Sequence, residues 1–195
     1  MLNYNHINAV GIDEVGRGAL AGPVVAAAVV LPEKSFIEGL SDSKQLTAKK
    51  RLALEPIIKS CSVGWAIGAA SVEEIDRHNI LQATFLAMHR ALDHLRAKGV
   101  EPSLLLVDGH RFKPYHTYPY RCIVGGDRKE ASIAAASVLA KVYRDELISG
   151  YAVHVPGYGW ARHAGYGTKH HREAIKRLGR TVHHRKSFRV KGIDK

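Results

Sequence analysis

Cysteine is almost missing from this chain: Cys61 and Cys122 are the only two in 195 residues. They lack the paired spacing of a zinc site or a disulfide framework, so the expectation is two buried thiols in a reducing compartment. Long apolar runs are missing too. The longest, Ala19 to Leu31, is broken by Gly22 and Pro23 and is too short to span a bilayer. The opening Met1-Leu2-Asn3-Tyr4-Asn5-His6 has neither the basic region nor the apolar core of a signal peptide. These absences lead to the expectation of a soluble cytoplasmic protein. Negative charge is scarce as well, with 18 acids against 29 lysines and arginines, a formal balance of +11 before any of the 12 histidines is counted.

What is present starts with that imbalance. Eleven basic side chains but only Glu173 and Asp194 fall between Trp160 and Lys195. A surplus concentrated in one terminal stretch suits a phosphate-binding surface better than general solubility. The 46% apolar content is that of a globular protein, and the length suits one domain with a small appendage.

Periodicity sets the elements. His6 to Ile12 and Pro23 to Leu31 read as strands around a glycine turn, and Val63, Trp65, Ile67 and Ala69 as one face of a third. Thr47 caps a helix that Pro56 should kink or end. Ser71-Val72-Glu73-Glu74 has capping-box spacing, and Leu81, Phe85, Met88, Leu92 and Leu95 form a helical stripe that Gly99 can terminate. Leu104 to Asp108 and Tyr120 to Val124 are short strands. An alanine-rich helix follows from Ala131 to about Ser149, with Ala131, Ala135, Leu139, Tyr143 and Leu147 on one face, and a last helix spans Lys169 to Leu178. This order gives a mixed α/β sheet, whose sites gather at strand ends near a switch in strand order.

Four acids sit at such ends. Asp13 and Glu14 follow an apolar run and precede Gly16-Arg17-Gly18, Asp108 emerges from Leu104-Leu105-Leu106-Val107, and Asp127 follows Gly125-Gly126. Each has a plain alternative. Asp13 and Glu14, as strand neighbours, face opposite ways unless the strand ends or bulges there, and could instead be a solvated acidic turn; Asp108-Gly109 could be a turn pair, and Asp127 with Glu130 a helix cap. If the four converge, their mutual repulsion calls for a divalent cation, and oxygen ligands without cysteine or regularly spaced histidine select magnesium or manganese. Two such ions beside a basic surface point to phosphodiester hydrolysis on nucleic acid. His163, His170, His171, His183 and His184 match no standard metal site and read as added positive character or as exposed residues. Lys141 and Arg144 read as the solvent face of the alanine-rich helix, with Asp145 as a partner for either.

The blocks Gly11-Ile12-Asp13-Glu14-Val15-Gly16-Arg17-Gly18, Asp42-Ser43-Lys44-Gln45-Leu46, Val107-Asp108-Gly109, Gly126-Asp127, Ala134 to Asp145, Gly165-Tyr166-Gly167-Thr168 and His184-Arg185-Lys186-Ser187-Phe188 resemble ribonuclease HII, in the family's order. The resemblance implies a ribonuclease H-like mixed β-sheet flanked by helices. Residues 1–150 would be the catalytic domain, and 151–195 a helical basic substrate-binding segment packed on the same domain. It implies endonucleolytic cleavage of RNA in RNA-DNA hybrids and at single ribonucleotides in duplex DNA, leaving 3′-hydroxyl and 5′-phosphate ends. Asp13, Glu14, Asp108 and Asp127 match the catalytic acids, which hold Mn2+ or Mg2+, two ions with substrate bound. Gly16, Arg17 and Gly18 match the triplet whose backbone reads the ribose 2′-hydroxyl, and Tyr166 the tyrosine against the same sugar. Ser43 and Lys44 match a loop that holds phosphate.

Val15 stands where this family more often has alanine. The long amino-terminal extension of the related HIII group is not expected here, which favours HII. The ending Arg189 to Lys195 has no aromatic clamp-binding motif, which argues against sliding-clamp contact, and a monomer is expected. The alternatives are a non-catalytic hybrid-binding protein and another two-metal nuclease of the same fold, such as a junction resolvase.

Overall fold

The structure, a computed structural model, describes residues 2–4, 8–33 and 35–194. Strands β1 (Ala9–Val15), β2 (Val24–Val30), β3 (Gly64–Ala70), β4 (Leu104–Asp108) and β5 (Tyr120–Ile123) form one sheet in the order β3-β2-β1-β4-β5. β2 is antiparallel to both β1 and β3, whereas β1, β4 and β5 are parallel, and the strand order reverses at β1. All seven residues of β2 are buried, as its unbroken Val and Ala sequence requires of a strand covered on both faces.

Helices α1 (Ala48–Cys61) and α3 (Ala131–His154) cover one face, and α2 (Val72–Arg96) covers the other. Their close approach depends on two glycines. A methyl group at Gly11 would overlap the backbone of Ser132 and Ile133 on α3, and one at Gly68 the backbone of Ala87 and Ala91 on α2. Ser71 makes the expected capping box at the start of α2. Asn79 (φ 67°) then breaks the helix, and its Oδ1 accepts from Leu81 N and Gln82 N to restart it at the amphipathic stripe.

Several expectations give way. β1 runs on to Val15 with Asp13 opposite Ala27 and Glu14 opposite Ala26, so both acids lie inside a paired strand; His6 and Ile7 are outside the described residues. Pro56 sits within α1 because it and Leu52, whose carbonyl loses its donor, are on the exposed face where water substitutes. On β3 the fully buried set is Ala66, Gly68 and Ala70 against α2, while Trp65, Ile67 and Ala69 are half-buried against the other face. Cys61 and Cys122 are free and half-buried.

Beyond α3, a single-turn helix α4 (Trp160–His163) precedes α5 (Lys169–Leu178). Tyr158, Trp160, Ala174, Ile175 and Val190 pack on Leu20, Ala21 and Ile148, joining the basic tail to the end of α3 and to the loop after β1. Asp76 of α2 fastens the same tail by accepting from Lys186 N and Ser187 N, both at 2.9 Å. Among the described residues no helix is long and apolar enough to cross a membrane.

Candidate active site

Parallel pairing of β1 with β4, in which Ile12 stands opposite Val107, brings Asp13 and Asp108 side by side at the strand ends. Gly126 N donates to Asp108 Oδ1 at 2.8 Å, which draws the 3-10 turn Gly126–Arg128 onto β4 and delivers Asp127. One carboxylate oxygen from each of Asp13, Asp108 and Asp127 lies within 4.8 Å of the others. The capping alternative for Asp127 fails: α3 starts at Ala131, its N-cap is Glu130, and Asp127 is buried.

Glu14 is not in this trio. Alternation along a continuous strand turns it to the other side, where Arg17 Nη1 holds Oε1 at 3.2 Å. It shares with Arg17, Asp108, His110 and Arg111 a small cavity of about 140 Å³ beside the trio.

The electrostatics are those of an acidic site only partly compensated by Arg17 and Lys44. Burial first, then repulsion from Glu14 and Asp108, pushes the Asp13 carboxyl well above the usual range. Burial also raises Glu14, against the opposing pull of Arg17. Asp127 is raised by burial, Asp108 and Asp42, with Lys44 opposing. Three acids held together at this cost, with oxygen donors only, suit a hard divalent cation.

The Asp42-Ser43-Lys44 loop divides its labour. Lys44 extends into solvent with Nζ 3.6 Å from Asp127 Oδ2. Ser43 is buried, its hydroxyl 2.6 Å from that of Ser137, which also hydrogen-bonds Asp13. Its side chain therefore supports the trio from behind instead of facing a ligand. Asp42 was missed by sequence reasoning: it is buried, accepts from Lys44 N at 2.8 Å and lies against Asp127. The available signal was an Asx turn two residues before the loop lysine.

Next to the trio, Gly16 (φ 94°) turns the chain, and Ala19 bridges to Tyr166, placing the glycine triplet and the tyrosine in one surface. Tyr166 borders an open groove of about 480 Å³ lined also by Arg51, Lys141, Asp145 and Arg162. Asp145 pairs with Lys141 at 2.7 Å and with Arg51 at 3.7 Å.

Two histidines expected to add charge are instead buried and neutral. His171 Nε2 accepts from Trp160 Nε1, so its proton is on Nδ1 and is donated to Tyr166 O at 3.0 Å. His184 Nδ1 accepts from Thr181 N at 2.9 Å, so its Nε2–H faces His171 Nε2 at 3.2 Å. Burial, then the neighbouring His163 and His170, hold His171 down to about 4. For His184 the causes are burial, then His171, Arg180 and His183, and the value is again about 4.

The unfolded chain takes up these protons near 6.5 and the folded protein only near 4, so their stabilisation is complete above the former value and declines toward the latter. Each histidine is expected to cost about 3 kcal/mol by the acid end of that window, and because the two repel they titrate as one coupled pair. Raised carboxyls act with the opposite sign. Comparing urea midpoints of the unmodified protein and His184→Asn across this window isolates the histidines, and an identical slope in both would refute the assignment.

The family model described as ribonuclease HII matches residues 10–191. Ribonuclease HII of Parabacteroides distasonis is 54% identical over 178 residues, covering 91% of this chain and 88% of that protein. The Chlorobaculum parvum protein of the same name is 54% identical over 187 residues, covering 94% and 90%. Among solved structures, ribonuclease H2 of Pyrococcus horikoshii superposes with TM-score 0.77 at 26% identity, covering 93% of this chain and 94% of that one. The Archaeoglobus fulgidus RNase HII solved in complex with PCNA gives 0.76 at 23%, covering 95% and 96%, a likeness of fold. With the whole folded unit matched from Val10 to Lys191, the chain belongs to the ribonuclease HII family of metal-dependent endoribonucleases.

Proposed function

We propose that the chain cuts the RNA strand of RNA-DNA hybrids and incises at single ribonucleotides within duplex DNA, leaving 3′-hydroxyl and 5′-phosphate ends. The observation that carries this reading is an adjacency: three carboxylates within 4.8 Å of one another stand beside a glycine turn bridged to Tyr166. Asp13, Asp108 and Asp127 would hold a divalent cation, magnesium or manganese, with Glu14 the fourth ligand from the other side of β1. Bound cations supply charge neutralisation and Lewis acidity for in-line displacement at phosphorus.

The chain's own groups do the rest. The main chain of Gly16, Arg17 and Gly18 meets the ribose, where absence of side chains permits close approach and the 2′-hydroxyl separates RNA from DNA. The Tyr166 ring lies against the same sugar. Arg17 and the extended Lys44 face phosphate, and exposed Lys169, Lys176, Arg177 and Lys186 in the segment 151–195 hold the duplex backbone. This is the chemistry that ribonucleotide excision repair in the cytoplasm needs.

A duplex with one ribonucleotide and its all-DNA twin, each incubated with magnesium, manganese or chelator, test the reading. Cutting is expected only with both the ribonucleotide and a metal. Equal cutting of the all-DNA twin would remove the ribose role and favour a resolvase-like nuclease, and cutting in chelator would remove the metal.

A further inference from the structure

Arg144 and Arg185 are the unusual residues left over. Both are buried, at 0% and 1% exposure, and every hydrogen bond from their guanidiniums goes to a backbone carbonyl. Arg185 donates through Nη2 to Gly16 O at 2.7 Å, through Nη1 to Arg17 O at 2.8 Å and through Nε to Gly22 O at 3.0 Å. Arg144 donates through Nε to Pro23 O at 3.0 Å, through Nη2 to Ala21 O at 3.0 Å and through Nη1 to Ala164 O at 2.8 Å. Asp145, next on the helix, is taken by Lys141 and Arg51.

Among the described residues no carboxylate hydrogen-bonds either guanidinium, and such a charge is costly to bury, so the arrangement is sustained by a carbonyl bond from each of the three nitrogens of both side chains. Three carbonyls in a planar fork are a geometry that only arginine satisfies; a lysine in the same place can reach fewer of them. The six acceptors belong to the turn after β1, the entry to β2 and the residue two before Tyr166. Main-chain bonds complete the tie: Leu20 N and Ala21 N donate to Gly165 O at 2.9 and 3.3 Å, and Gly22 N donates to His183 O at 2.8 Å. The Tyr166 ring lies 5.5 Å from the Arg144 guanidinium carbon. Gly16 must lack a side chain here as well, since a methyl group would overlap the Arg144 guanidinium.

We propose that Arg144 and Arg185 are positioning residues for ribose discrimination, buried staples that fix the Gly16-Arg17-Gly18 turn and Tyr166 in one rigid arrangement. The inference rests on the reading that these two elements meet the ribose. A 2′-hydroxyl is discriminated only if donor and acceptor positions hold to within a few tenths of an ångström, roughly the tolerance of any preorganised site. Short surface turns do not hold that tolerance by themselves.

The test measures affinities in chelator for a duplex carrying one ribonucleotide and for its all-DNA twin. The unmodified protein prefers the former. Arg185→Lys and Arg144→Lys keep the positive charge, so all-DNA affinity stays within about twofold while the preference falls by about tenfold or more. Combining either with Tyr166→Ala removes less than the product of the separate effects, because both act on one arrangement. A folded variant with full preference, or affinities that fall in parallel for both duplexes, overturns the proposal; an unmodified protein with no preference overturns the ribose reading itself. Hydrogen exchange on the unmodified protein needs no variant. The Leu20, Gly22 and Arg185 amides should be as slow as the interior of α3, and exchange about a hundredfold faster would overturn the rigid arrangement.

Discussion

Asp13→Asn should lower the single-turnover cleavage rate on the order of 10³-fold while hybrid affinity changes by less than about threefold. The affinity expectation follows from charge: Lys169, Lys176, Arg177 and Lys186 are exposed and untouched by the change. The rate expectation follows from position. Asp13 is buried beside Glu14 and Asp108, and burial first, then repulsion from those neighbours, raises its carboxyl well above the usual range. Asparagine keeps the shape and one acceptor oxygen, so Glu14 N, which donates to Asp13 Oδ1 at 2.7 Å, can keep its bond. The ionic ligand is lost, and a metal's several kcal/mol of transition-state stabilisation corresponds to about a thousandfold in rate. The same substitution should raise the thermal midpoint in chelator, since it deletes one member of a repelling group. Near-normal turnover at saturating manganese, or a lowered midpoint, would show that Asp13 is a structural acid.

How far the sequence carried depends on which side chains a pattern reveals. The short strand ending at Asp108, the helix Lys169–Leu178 and the capping box at Ser71 were legible because their signals are local. The convergence of Asp108 and Asp127 was not, since it depends on the parallel pairing of β1 with β4 and on one bond from Gly126 N. The divergence of Glu14 from Asp13 was available from strand alternation, once the strand was carried on to Val15. Arg144 was misread for a related reason. The stripe holds at Ala131, Ala135 and Leu139, which are buried, but fails at Tyr143, which is exposed, because beyond Leu139 the buried line runs through Ala140, Arg144 and Ile148 at four-residue steps. A charged residue in phase with an apolar stripe was the signal. Arg185 and His184 lie in a loop without periodicity, so their burial follows only from what the tail packs against.

Gly11→Ala should destabilise the fold by about 3 kcal/mol or more, the upper range for forcing extra volume into a packed interior. For a chain of this size that corresponds to a fall in thermal midpoint of roughly 6–12 °C. The added methyl has nowhere to go. It would meet the backbone of Ser132 and Ile133, and backbone at the start of α3 cannot rotate aside as a side chain tip can. Relief requires β1 and α3 to separate, which moves Asp13 and strains the link from β1 through Ser137 to Ser43. Cleavage should therefore fall below what the loss of folded protein accounts for, even well under the new midpoint. Gly150→Ala is the matched control: it lies in the same helix α3, with nothing near the added methyl, and should stabilise by about 0.5–1 kcal/mol through backbone entropy alone. If Gly11→Ala unfolded at the same temperature as the control, α3 could not be pressed against β1 as described, and the support behind the carboxylate trio would have to come from elsewhere.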